Sequence, residues 1–139
     1  MQILPLPPEP ATFSRATSVD QGRREGAELD EDLSINSEHD DAEVTVHIAG
    51  EIDLSNIARV LAAGREALSS TDRQVLVLDL RAVTFIDSAG VGALVKVVKA
   101  AQAEQRTTKV LVRAPSVVRT FTLMGLMRAW DVRAEAAVA

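Results

Sequence analysis

TFIDSAGVG, residues 84–92, is the stretch on which the reading of this chain turns. Strand-forming residues lead in (Thr84, Phe85, Ile86), an acid and a hydroxyl follow (Asp87, Ser88), and then come Ala89, Gly90 and Gly92 with Val91 among them. A strand feeding a helix has this shape. β-Branched and aromatic side chains suit a pleated surface, and an Asp or Ser at the junction accepts a hydrogen bond from an orphan N–H of the first helical turn. Four readings fit Asp87-Ser88 at such a junction: a cap, a phosphate cradle, a nucleophile and a modification site.

The flanks support the strand–helix reading. Upstream, VLVLDL at residues 75–80 is a near-continuous apolar run with β-branched content, as expected of a central strand covered on both faces. Downstream, Val91, Leu94, Val95, Val98 and Ala101 recur at helical spacing, which predicts a helix over residues 89–105. Further out, Val44, Val46 and Ile48 alternate with Thr45 and His47, giving a half-buried strand that ends at Gly50-Glu51-Ile52-Asp53. Leu33-Ser34-Ile35 reads as an edge strand, and residues 39–43 as the polar turn after it. Leu54, Ile57, Leu61, Gly64 and Leu68 predict a helix over residues 54–69, capped by Asp53 or Ser55. Residues 109–112 form another buried strand. Pro115-Ser116 opens a third helix, with Ser116 as its cap, Val117, Val118, Phe121 and Met124 on its apolar side, and Gly125 just past its end. Residues 131–133 make a last short strand.

The order is β-β-α-β-α-β-α-β. It predicts an α/β domain with a mixed, mostly parallel sheet, the first two strands antiparallel across their short turn. No internal repeat is evident. Four of the five prolines fall within residues 5–10, and the chain stays polar and aperiodic through Asp32. Residues 1–32 therefore read as a flexible acidic, proline-rich arm, and residues 33–139 as the domain.

Composition narrows the function. The chain has 139 residues and no cysteine, which excludes disulfides, thiolate catalysis and zinc fingers. His39 and His47 are the only imidazoles, too few for a His-rich metal site. The net charge of −5 is uneven: residues 1–43 hold eleven acids against three arginines, and the remainder holds nine acids against twelve Lys and Arg. An acidic end argues against direct nucleic-acid binding, which needs a concentrated basic face. No apolar run is long enough to span a membrane, and the proline-rich start lacks the basic region of a signal peptide. The expectation is a cytoplasmic protein without a cofactor.

The spacing around Ser88 matches neither G-x-G-x-x-G nor the P-loop. A hydrolase elbow needs glycine two residues before the serine, where Ile86 stands, and its base would have to be His39 or His47. With no base, nucleophile and oxyanion donors to assemble, an enzyme is not expected. A cap at Asp87 or Ser88 explains part of the pattern. It does not explain two glycines in the first turns of a helix, each costing about 1 kcal/mol against alanine. Gly92 falls opposite the apolar face, near Ala89, Lys96 and Ala100. Low relief beside an exposed hydroxyl looks like a docking surface carrying a switchable group.

The pattern of strand, F-φ-D-S-x-G-φ-G and helix resembles the STAS domain of bacterial anti-sigma factor antagonists. Gly50-Glu51-Ile52-Asp53 is similar to that family's G-E-φ-D, residues 75–80 to its central strand, and Ala114-Pro115-Ser116 through Met124-Gly125-Leu126 to its last helix. The resemblance runs over residues 33–133. It implies a STAS-type fold, Ser88 as phosphoacceptor, and a partner surface of Asp53, Asp87, Ser88, Ala89, Gly90, Gly92 and Lys96. It implies as partners an anti-sigma factor with serine kinase activity and a serine phosphatase, with the chain a monomer or weak dimer. The unmodified form would bind the anti-sigma factor and release a sigma factor, and phosphorylation would end the binding. Ala89 stands where many relatives carry a second hydroxyl, and the stretch before Leu33 is longer than in minimal antagonists. A STAS subunit of a membrane-associated transport complex, with no phospho-switch, is the alternative.

Overall fold

The computed structural model describes residues 33–135, so the expected arm over residues 1–32 lies outside the described residues. Among the described residues, five strands and four helices follow in the order β1 (Leu33–His39), β2 (Glu43–Ile52), α1 (Ile57–Ser70), β3 (Val75–Ile86), α2 (Ser88–Ala103), β4 (Thr107–Val112), α3 (Pro115–Leu123), α4 (Leu126–Ala129) and β5 (Asp131–Ala134). The sheet order is β1-β2-β3-β4-β5, antiparallel between β1 and β2 and parallel thereafter. The expected topology gains one element, the single turn α4, between the third helix and the last strand.

A sheet whose strands lie side by side in chain order, joined by crossovers of one hand, collects its helices on one face. Burial agrees. Val44, Val46 and Ile48 of β2, Leu76, Leu78 and Leu80 of β3, and Val110 and Val112 of β4 meet Val60, Leu68, Val91, Leu94, Val98, Val117 and Phe121 from the helices in one core. Phe121 packs edge-on to Trp130 at 5.9 Å between ring centroids. Where α1 crosses α2, Gly64 leaves no gap: a Cβ there would stand 2.6 Å from Val97 Cγ2.

The expectation that β3 is covered by helices on both faces needs correction. Its second face carries Val77 and Asp79, both buried, but what meets Asp79 is a chain of polar and charged side chains. Glu38 Oε2 of β1 lies 2.7 Å from His47 Nε2 of β2, and His47 Nδ1 lies 2.9 Å from Asp79 Oδ2. Arg81 grips Asp79 with Nε at 2.9 Å and Nη2 at 3.0 Å, and its Nη1 donates to Glu135 at 3.1 Å. Arg113 reaches the same Glu135 at 3.2 Å. The Arg81 hydrogen bond holds the Asp79 carboxyl down to about 2, against burial, with the Arg81 backbone and His47 acting in the same direction. A buried aspartate in an apolar run is thus stable because the Arg81 guanidinium and the His47 ring both hydrogen-bond its carboxylate.

Strand β3 runs six residues past the expected end at Leu80. It carries two register shifts against β2. Asp79 to Ala82 spans three steps where His47 to Ala49 spans two, and Val83 to Phe85 spans two where Gly50 to Glu51 spans one. Each adds a residue to β3 and interrupts its alternation. Helix α3 ends as expected, with Gly125 in the left-handed region at φ 76°.

Candidate functional site

The end of β3 delivers Asp87 to the edge of the sheet, and Asp87 organises what surrounds it. Its backbone N–H donates to Ile52 O at 3.1 Å, which joins the ends of β3 and β2. Its Oδ1 accepts from Gly90 N at 2.8 Å, capping α2. Its Oδ2 accepts from Leu54 N at 3.3 Å, drawing in the loop after β2. The cap is therefore Asp87 rather than Ser88. Ser88 is the first residue of α2, exposed, with a hydroxyl that makes no hydrogen bond among the described residues.

The Asp53 loop is built by short polar side chains. Asp53 Oδ1 accepts from Ser55 N at 3.0 Å and from Ser55 Oγ at 2.6 Å. Asn56 Oδ1 accepts from Asp53 N at 3.0 Å, and Asn56 Nδ2 donates to Glu51 O at 2.9 Å. This fold-back replaces the expected first turn of the helix. α1 starts at Ile57 after Asn56, and neither Asp53 nor Ser55 caps it. Leu54, expected on the apolar face of that helix, stands out to solvent at 71% exposure. Two other local expectations also change. Ser116 does not cap α3; its Oγ donates to Thr84 O at 2.7 Å, while Ala114 holds the cap position. Met124 is exposed and lies off the apolar side of α3.

Along α2 the outward positions are Ser88, Gly92 and Lys96, one turn apart. Ala89 is half-buried, Lys96 is exposed, and a Cβ on Gly92 would meet nothing within 4 Å. Gly90 differs from the expectation. It is buried, and a Cβ there would lie 2.7 Å from both Ile52 Cγ2 and Ile86 Cγ1. Its glycine lets the helix start settle on the ends of β2 and β3, so it packs the site from beneath and presents no surface. Neither histidine approaches Ser88 as a base: His47 lies within the charge chain on the far face, and His39 ends β1 opposite Val44, at the other end of the sheet.

The family model for the STAS domain matches residues 34–137. The chain belongs to the STAS family. Among solved structures, it is similar to an anti-sigma factor antagonist from Mycobacterium paratuberculosis, with 26% identity and a TM-score of 0.65 over 72% of this chain and 84% of that one. It is also similar to the anti-sigma factor antagonist SpoIIAA in its unphosphorylated form, with 22% identity and a TM-score of 0.61 over 76% of this chain and 89% of that one. For the Bacillus cell fate determinant SpoIIAA in the phosphorylated form the values are 21%, 0.56, 76% and 92%. The two SpoIIAA likenesses show the STAS fold, with its mixed, mostly parallel sheet.

Within this STAS domain, Asp87 is linked to the Asp53 loop through Leu54 N, and Ser88, Gly92 and Lys96 follow at successive turns of α2, as their spacing in the sequence implies. Sequence reading did not single out Leu54 or Phe85. Phe85 is 46% exposed and lies opposite Glu51 in the register. The signal for Leu54 was present: Asp53, Ser55 and Asn56 are turn formers, and they outweigh one leucine at helical spacing.

Proposed function

We propose that this protein is an anti-sigma factor antagonist. Its unmodified form binds an anti-sigma factor that is also a serine kinase and so releases a sigma factor; phosphorylation of Ser88 ends the binding, and a serine phosphatase restores it. One observation carries the reading: an exposed hydroxyl with no hydrogen bond among the described residues stands at the first position of a 16-residue helix, directly after the aspartate that caps it. The 26% identical antagonist supports the general role.

The chemistry of such a switch follows from the site. A kinase needs a hydroxyl it can reach, and Ser88 is held by no neighbour. Phosphate adds about −1.5 to −2 charges at pH 7. The positive end of the α2 dipole and its N–H groups tolerate that charge, so the fold survives. A close interface does not, because the dianion must lose its water beside Asp87 and the Asp53 loop. Binding thus changes while the domain stays intact.

The test is phosphorylation by the source organism's serine-kinase anti-sigma factors, purified and assayed in turn with ATP, followed by peptide mass mapping. The phosphate is expected on Ser88 and absent from Ser88→Ala. Modification at Thr84 or Ser116 instead would overturn the assignment. Thr84 Oγ1 is within 3.4 Å of Gly50 O, and Ser116 Oγ is committed to Thr84 O.

A further inference from the structure

We propose that Leu54, whose N–H donates to Asp87, and Phe85, two residues before Asp87, are the apolar anchors of the anti-sigma factor interface, supplying affinity at the site where Ser88 supplies control. The inference rests on the reading of Ser88 given above and adds what holds the partner there.

Four large apolar side chains are exposed among the described residues: Leu54, Phe85, Leu123 and Met124. Two of them adjoin Asp87. Leu54 does so through its N–H bond to Oδ2, and Phe85 lies two residues earlier in the chain. A lone exposed leucine needs no explanation. Leu54 differs in how it is held. Asp53, Ser55 and Asn56 tie the backbone on both sides of it, and Asp87 ties its own N–H. A fixed loop that presents a leucine to water has already met the ordering cost that binding would otherwise impose on it. Phe85 follows the second register shift of β3, and its neighbour Ile86 is buried in the core. Shifts of this kind re-aim side chains beside functional sites.

The neighbouring acids set the partner's chemistry. Glu51 is opposite Phe85 in the register, Asp53 precedes Leu54, and Asp87 accepts from Leu54 N, so the matching face carries two apolar sockets bordered by Lys or Arg. Phosphate on Ser88 puts a bulky dianion between those acids and the cations that would meet them, which holds the partner face off the surface, and the anchors then cannot seat. Apolar anchoring and charge control therefore act on the same contact. Leu123 lies seven residues beyond Ser116 on α3, about 10 Å along the helix axis, and provides a control for general surface stickiness.

The experiment is calorimetric titration of wild type, Leu54→Ala, Leu54→Ser, Phe85→Ala, Leu123→Ala and Ser88→Asp into each purified serine-kinase anti-sigma factor of the source organism, with melting curves for every variant. Both Leu54 variants and Phe85→Ala are expected to bind at least tenfold more weakly, with Leu54→Ala melting as wild type does, and Leu123→Ala to bind as wild type does. Leu54 and Phe85 variants within twofold of wild type, alongside a Ser88→Asp that no longer binds, would overturn the anchors and leave the switch standing. Wild-type protein that binds none of these anti-sigma factors would overturn the reading of Ser88, and the anchors with it.

Discussion

Asp87 spends one carboxylate on two tasks, capping α2 and holding the Leu54 loop. Ser88 contributes nothing to either. Asp87→Ala should therefore cost about 1 kcal/mol or more of stability, the ordinary value of a lost N-cap plus a loosened loop. Ser88→Ala should stay within about 0.5 kcal/mol of wild type, as surface changes do. Urea denaturation of both variants checks the division. Ser88→Ala should also keep anti-sigma factor binding that Ser88→Asp weakens, and calorimetry reads that difference. Asp79 predicts a pH dependence. Its carboxyl is held at about 2, below the ordinary value of 3.8, first by the Arg81 hydrogen bond. A depressed carboxyl stabilises the fold above its unfolded value and loses that contribution as pH falls through the folded value. Wild type should thus exceed Asp79→Asn by roughly 1–2 kcal/mol at pH 7, and the gap should close between about pH 4 and pH 2. A gap that persisted at pH 2 would mean Asp79 acts by shape rather than charge. The cap and the hydroxyl were legible in the sequence because both depend on residues adjacent in the chain. Gly90 was not, because what fills the space above its Cα is Ile52, nearly forty positions earlier.

At the scale of elements, Gly64 and Val97 decide how closely α1 approaches α2. Helix propensity alone favours Gly64→Ala by about 1 kcal/mol. The geometry reverses that sign, since the new methyl would stand 2.6 Å from Val97 Cγ2. Overpacking should cost about 1–3 kcal/mol. Val97→Ala in the same chain should recover part of the loss, and a double-mutant cycle by chemical denaturation measures the coupling. Element order was readable because apolar period and turn residues agree along most of the chain. The boundaries that shifted have physical causes. β3 outran its expected end because two bulges break the alternation at Arg81–Ala82 and again at Thr84. α1 began late because Asn56 folds the chain back on Glu51 and Asp53. α3 lost its expected serine cap because Ser116 found a strand carbonyl, Thr84 O, which no local pattern announces.

For the molecule as a whole, Leu33 is the first core residue among the described ones, and the STAS match begins at residue 34. A chain starting at residue 31 should therefore fold with a melting temperature close to that of the full protein, as differential scanning calorimetry would show. Charge, too, is organised across the whole sheet. Glu38, His47, Asp79, Arg81, Glu135 and Arg113 form one line of contacts from the first strand to beyond the last. Glu38 and Glu135 within it are nearly a hundred residues apart in the chain, so the line closes only when every strand is in place. Interactions that form after the rate-limiting barrier scarcely alter how fast a protein folds and chiefly set how slowly it comes apart. Arg81→Ala should accordingly leave the refolding limb of a stopped-flow chevron in position and raise the unfolding limb. A raised unfolding limb would make this line of contacts a latch on lifetime, setting how long a folded molecule stays folded.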